Sequence, residues 1–149
     1  MMKRTFSILF ATMTAVFASL MAAVPAAADP VTVAATCNSY SHVPVVGGGY
    51  SEVPSIGSET GNVYCSMFQG SQSSAVFALQ LTLNECYLRP TGRTLLNLDS
   101  EFGPKTRAAL VFAQGMAGAV PDGGYGPETR TKLLWNRWWG SAFCNHLNI

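Results

Sequence analysis

Asp99-Ser100-Glu101-Phe102-Gly103-Pro104-Lys105-Thr106-Arg107-Ala108-Ala109-Leu110 is answered, 23 positions later, by Asp122-Gly123-Gly124-Tyr125-Gly126-Pro127-Glu128-Thr129-Arg130-Thr131-Lys132-Leu133. Both copies read D-x-x-[FY]-G-P-x-T-R-x-x-L, with no gap needed to align them. A repeat this close means that one supersecondary unit serves twice in one core. In each copy an Asp caps its own turn, an aromatic follows, and Gly103 or Gly126 is expected to take a backbone conformation closed to side chains. Pro104 and Pro127 then stand at helix starts, where a fixed φ helps and a missing N–H costs nothing. Each copy is thus a tight loop leading into a helix, with Phe102 or Tyr125 dropping toward the core and Leu110 or Leu133 facing inward from the helix. Paired loops at one end of a small bundle also offer a place for a ligand.

Working outward, the chain has 149 residues and starts with features of a secretory signal. Lys3 and Arg4 precede a nearly continuous apolar or small stretch from Phe6 to Val24, and Ala26-Ala27-Ala28 offers a cleavage site before Asp29. Residues 1–28 are therefore expected to be removed, leaving about 120 residues, one small domain with attachments. Lys3 and Arg4 leave with the signal, so the remainder is nearly neutral, with no basic block and no acidic tail. That balance argues against nucleic acid and, once the signal is gone, against a membrane surface.

Cys37, Cys65, Cys86 and Cys144 form an even set in an exported domain, so two disulfides are expected. Four cysteines allow three connectivities. The favoured one joins Cys65 to Cys86 across the first helix and Cys37 to Cys144 across the two ends.

Residues 29–64 show no helical period. Pro30, Pro44, Pro54 and Gly47-Gly48-Gly49 make this stretch an extended, loop-rich lead-in or linker, with room for a short strand at 31–33 or 43–46. A first helix is expected from Ser73, where Val76, Leu79, Leu83 and Cys86 or Tyr87 recur on one apolar face, stopped by Arg89-Pro90-Thr91-Gly92. Leu95, Leu96 and Leu98 are expected to pack beneath the loops. A second helix is expected from Pro104 to about Met116 and a third from Pro127 to about Trp139, with Gly140 ending it. The fold class is then all-α: a small three-helix bundle over residues 65–149, with a loop-rich N-terminal extension and disulfides to support a core too small to stand alone.

These residues resemble the peptidoglycan-binding domain of bacterial cell-wall proteins, a three-helix module. The family pattern, V-x-x-L-Q-x-x-L, then D-G-x-F-G-x-x-T-x-x-A-V-x-x-F-Q, then G-L-x-x-D-G-x-x-G-x-x-T, is matched by Val76, Leu79, Gln80 and Leu83, then Asp99, Phe102, Gly103, Thr106, Ala109 and Gln114, then Gly118, Asp122, Gly123, Gly126 and Thr129. Ser100, Leu110, Ala113 and Ala119 depart from it, and the loss of an aromatic at Ala113 is offset by neighbouring Phe112. The resemblance implies a secreted, wall-associated, monomeric module whose partner is peptidoglycan, with no cofactor and no metal.

The ligand-binding residues expected on this reading are Asp99, Phe102, Thr106, Gln114, Asp122, Tyr125, Thr129, Trp138 and Trp139. Asp99 and Asp122 either cap their turns or accept from sugar hydroxyls and peptide amides. Thr106 and Thr129 either close their helix starts or present a first turn to a stem-peptide carboxylate. Gln80 and Gln114 are polar on apolar helices, serving a buried bond or a groove. Trp135 is core; Trp138 and Trp139 are adjacent, so at least one is exposed and able to stack on a sugar face. The other function classes have less behind them. A protein-binding or inhibitor role would use the same scaffold with the N-terminal part as contact surface. A wall hydrolase lacks its motifs, since His42 and His146 are the only histidines and neither H-E-x-x-H nor G-x-S-x-G occurs. A zinc site from Cys37, His42, Cys144 and His146 competes with the disulfides.

Overall fold

The structure, a computed structural model, describes residues 34–139 and 144–149. The expected signal at 1–28 and the optional strand at 31–33 lie outside them. In chain order the elements are β1 (Ala35–Thr36), β2 (Ser39–Pro44), β3 (Tyr50–Ser55), β4 (Cys65–Ser66), α1 (Ser74–Leu83, prolonged by a π-helical turn over Asn84–Leu88), α2 (Pro104–Ala117), α3 (Pro127–Lys132), β5 (Trp135–Asn136) and β6 (Cys144–Asn145).

Helix α1 is the axis of the core. Ala75, Val76, Ala78, Leu79, Gln80, Thr82 and Leu83 are all buried, so the helix is enclosed on most sides and not on one face as its spacing suggested. The hairpin β2–β3 lies on one side of it and α2 on another. Two features of the sequence allow that hairpin. Alternate residues Ser41, Val43, Val45, Ser51, Val53 and Ser55 are buried, and their small size lets the strands approach α1 closely. Ser41 Oγ donates to Ser55 Oγ at 3.0 Å, which donates in turn to the Gly57 carbonyl at 2.7 Å, so these two inward serines are satisfied, whereas the buried Ser51 hydroxyl has no partner among the described residues.

The all-α, three-helix assignment is therefore corrected: three short helices are interleaved with three two-stranded sheets, β1–β4 parallel and β2–β3 and β5–β6 antiparallel. The loop-rich extension is corrected with it. The Gly47-Gly48-Gly49 run is a hairpin turn, all three at positive φ, and a Cβ on Gly49 would fall 2.6 Å from the Trp138 carbonyl oxygen. The glycines shape a contact; they do not loosen a linker.

The third helix is also shorter than its spacing implied. It ends at Lys132, and Leu133 is already extended. Beyond it, Leu134 N–H donates to the Tyr87 hydroxyl at 2.6 Å and the Trp135 indole N–H donates back to the Arg130 carbonyl at 2.9 Å. Asn136 accepts from the Thr82 hydroxyl at 2.6 Å, while β5 pairs with the tail strand β6. Tertiary partners thus take the groups that a longer helix would have used.

The disulfides are Cys37–Cys65 and Cys86–Cys144, not the Cys65–Cys86 and Cys37–Cys144 pairing favoured from sequence. The first staples β1 to β4 in register Ala35↔Cys65, and the second ties the tail to the π-helical turn. No described helix is long and apolar enough to cross a membrane.

Candidate functional site: two loops, a groove and an aromatic cleft

Each repeat loop is closed by a glutamine from the preceding helix. Gln80 Nε2 donates to Asp99 Oδ1 (2.8 Å), the Glu101 carbonyl (3.0 Å) and Thr106 Oγ1 (3.1 Å), while its Oε1 accepts from Ser100 N–H (3.1 Å). Gln114 Nε2 donates to Asp122 Oδ1 (2.8 Å), the Gly124 carbonyl (2.9 Å) and Thr129 Oγ1 (3.0 Å), and its Oε1 accepts from Gly123 N–H (2.9 Å). In each loop the Asp also accepts from the N–H two residues on, from Glu101 at 3.0 Å and Gly124 at 2.8 Å. The threonine donates to the same carbonyl as the glutamine, at 3.2 Å in both copies. The duplicated unit is thus helix, loop and helix, with α2 shared between the copies.

The conformation reserved for glycine falls elsewhere in the unit than the sequence suggested. Gly103 and Gly126 are extended N-caps, and the left-handed positions are Ser100 (φ 65°) and Gly123 (φ 73°). Pro104 and Pro127 occupy the first helical turn as read.

This network decides where the expected ligand residues stand. Phe102, Thr106, Gln114, Tyr125 and Thr129 are all buried, and their polar groups, the Tyr125 hydroxyl apart, are engaged inside the loops. Asp99 and Asp122 remain at the surface while capping their turns. Hydrogen bonds from the Gln80 amide and then from Glu101 N–H hold the Asp99 carboxyl below its usual value. Burial pushes the Tyr125 phenol far up; its hydroxyl and Arg130 Nε are buried without partners among the described residues. Trp135 is fully buried, whereas Trp138 and Trp139 are 46% and 85% exposed, so both adjacent tryptophans face solvent.

The two loops differ in what covers them. At the second, Arg107 donates to the Asp122 carbonyl at 3.0 Å, and Phe68 packs so close that a Cβ on Gly124 would meet its ring at 2.8 Å. Beside the first loop a groove of about 860 Å³ opens between residues 92–97 and the start of α2. Leu88, Leu96, Ala109 and Phe112 line it, with Asp99, Glu101, Arg93 and Lys105. The Arg93 guanidinium lies 3.8 Å from the centre of the Phe112 ring. Leu95 and Leu98, expected beneath the loops, are instead about two-fifths exposed.

A second, smaller cleft of about 280 Å³ lies on the outer face of the hairpin, lined by His42, Tyr50, Glu52, Trp138 and Trp139. Trp138 N–H donates to the Tyr50 carbonyl at 2.9 Å, joining the segment after β5 to the hairpin. His42 Nδ1 is 2.7 Å from Glu59, and burial raises Glu52 above the usual carboxyl value, opposed in part by His42. The groove residues Arg93, Glu101 and Lys105 and the cleft residues Tyr50 and Glu52 did not stand out in the sequence, while Phe112 was read only as core and His42 only as a candidate zinc ligand. Arg93 and Lys105 were legible as cations on either side of the Asp99 loop; the hairpin residues carried no signal until β2 and β3 were paired. Among the described residues no group of three or more His, Cys, Asp or Glu converges as a metal site.

A glutamine-locked pair of turn-to-helix units inside a disulfide-linked scaffold defines a small helix-loop module. Residues 72–133 match the family described as "Putative peptidoglycan binding domain". Among curated proteins and among solved structures there is no significant match. The family match points to peptidoglycan as the kind of partner and to a cell-wall or extracellular setting, with which the two disulfides are compatible.

Proposed function

We propose that this protein is a secreted, monomeric, non-catalytic module that holds peptidoglycan in the groove beside the Asp99 loop. The observation that carries the reading is the coincidence of that groove with the family match: its lining runs from Gln80 to Phe112, wholly inside residues 72–133. The groove offers an apolar floor, two cations and carboxylate acceptors in one place. Lys105, in the first turn of the 14-residue α2, and Arg93, over Phe112 further along the same helix, suit a carboxylate of the stem peptide. Asp99 and Glu101 suit amide N–H donors or sugar hydroxyls. Thr106 acts by fixing the loop, because its hydroxyl is already bonded to Gln80 and Glu101.

The test is co-sedimentation of the full chain with purified insoluble peptidoglycan, with soluble muropeptides assayed in the same tube. Wild-type protein is expected in the pellet with no muropeptide release, and Lys105→Ala and Arg93→Ala are expected to move it to the supernatant. Retention unaffected by both substitutions would remove the groove from the mechanism; release of muropeptides would make the protein a hydrolase.

A further inference from the structure

We infer that the cleft on the outer face of the hairpin is a saccharide subsite, separate from the groove and lying wholly outside the family-matched segment. Its walls come from two elements: Tyr50, with His42 and Glu52, from the hairpin, and Trp138 with Trp139 from the segment after β5. A pyranose ring presents an apolar C–H face and a rim of hydroxyls, so its receptor needs exposed aromatic surface edged by polar groups. This cleft has both. Its volume of about 280 Å³ falls just short of the range of ligand pockets, about 300 Å³ upward, and suits a single sugar ring better than a larger ligand.

The backbone that carries the two exposed rings is held in place at a cost. Trp139 is 85% exposed and sits at φ 75°, a conformation that a bulky L-residue adopts at a cost. Arg137 Nε, donating to the Trp139 carbonyl at 2.6 Å, fixes that backbone, and Gly49 leaves room for it. The ring itself gains little burial in return. The polar groups at its edge are of both kinds, with Glu52 and Glu59 beside His42 and the Arg137 guanidinium at the Trp139 carbonyl, so the rim offers acceptors and donors to neutral hydroxyls. His42 spends Nδ1 on Glu59, and Nε2 has no partner among the described residues. In the wall polymer the matching chemistry is that of the glycan strand, not the stem peptide; that last step alone rests on the peptidoglycan reading.

The experiment titrates the full chain with a tetramer of β-1,4-linked N-acetylglucosamine, which carries no stem peptide, and follows tryptophan fluorescence. Trp135 is buried with its indole N–H bonded, so a saturable change reports Trp138 and Trp139. Tyr50→Ala keeps every tryptophan and is expected to weaken binding about tenfold, the loss of one aromatic contact, while Tyr50→Phe restores most of it. Glu52→Gln is expected to weaken it about threefold, and Lys105→Ala to leave it unchanged. Absence of a saturable change, or a change indifferent to Tyr50→Ala in a variant that unfolds like wild type, overturns the inference. So does saturation by choline in place of the tetramer, since an aromatic cage for a quaternary ammonium would then be the better reading. Loss of sedimentation with normal tetramer binding would count against the peptidoglycan proposal and leave this one standing.

Discussion

Replacing Gln114 by alanine removes four hydrogen bonds that hold the second loop: three donated by Nε2 and one accepted by Oε1. The cost is unequal among the partners. Asp122 is at the surface and turns to water, and the Gly124 carbonyl keeps the bond from Thr129. Gly123 N–H, however, is buried and keeps nothing. The orphaned Gly123 donor costs about 2 kcal/mol and the uncompensated bond to Thr129 about 1 kcal/mol, giving about 3 kcal/mol in all. Against a total stability of about 5–15 kcal/mol this is a large share. Gln114→Glu should be worse at neutral pH, because one carboxylate oxygen then faces Asp122 and the Gly124 carbonyl. Gln80→Ala should cost less, since Asp99 and Glu101 are exposed and Ser100 is only half-buried. Urea unfolding of the oxidised protein, with a slope unchanged between variants, measures all three. A cost below about 1 kcal/mol for Gln114→Ala, or a larger cost for Gln80→Ala, would refute the claim that these glutamines lock the loops.

Tyr125→Phe is expected to be neutral or to stabilise by about 1 kcal/mol in the same assay, because it removes a buried hydroxyl without a partner and because Phe102 fills the equivalent place in the first copy. Cys86→Ser with Cys144→Ser opens a 58-residue connection and should cost about 4 kcal/mol by loop-closure entropy, read from unfolding midpoints. Gly49→Ala forces a Cβ against the Trp138 carbonyl and strains a left-handed residue, and should cost more than about 1 kcal/mol by denaturant unfolding while changing the fluorescence of Trp138 and Trp139. Asp99 has a depressed folded-state value, so its contribution to stability is present above the unfolded value of about 3.8 and is lost as pH falls through the lower folded value. Unfolding midpoints followed downward from about pH 5 should show an acid-induced loss that Asp99→Asn reduces.

What the sequence disclosed was local chemistry. Pro104 and Pro127 marked helix starts, Gly118 closed α2 at φ 69°, and the repeat located both loops to the residue. What it hid depended on partners distant in the chain. Ser41, Ser51 and Ser55 face inward, so the alternation of apolar and polar that betrays a strand was erased in β2 and β3. Leu133, Leu134, Trp135 and Trp138 kept helical spacing, yet the Tyr87 hydroxyl and strand β6 captured the backbone after Lys132. Cysteine spacing could not rank three pairings. For the site, the Asp, Thr and Gln of the pattern were legible as polar residues in the loops, but their types fit equally a ligand contact and a self-contained lock. Burial alone separates those, and burial is a property of the packed chain.

Helix α2 takes part in both locks: Thr106 in its first turn receives Gln80, and Gln114, eight residues on, reaches the second loop. At about 1.5 Å per residue the two anchor points are held about 12 Å apart along a rigid rod. Insertion of a single residue between them would swing one anchor about 100° around the axis relative to the other, pulling Gln114 away from Asp122. Length variation should therefore be forbidden in the interior of this helix, making the rod a ruler for the whole module.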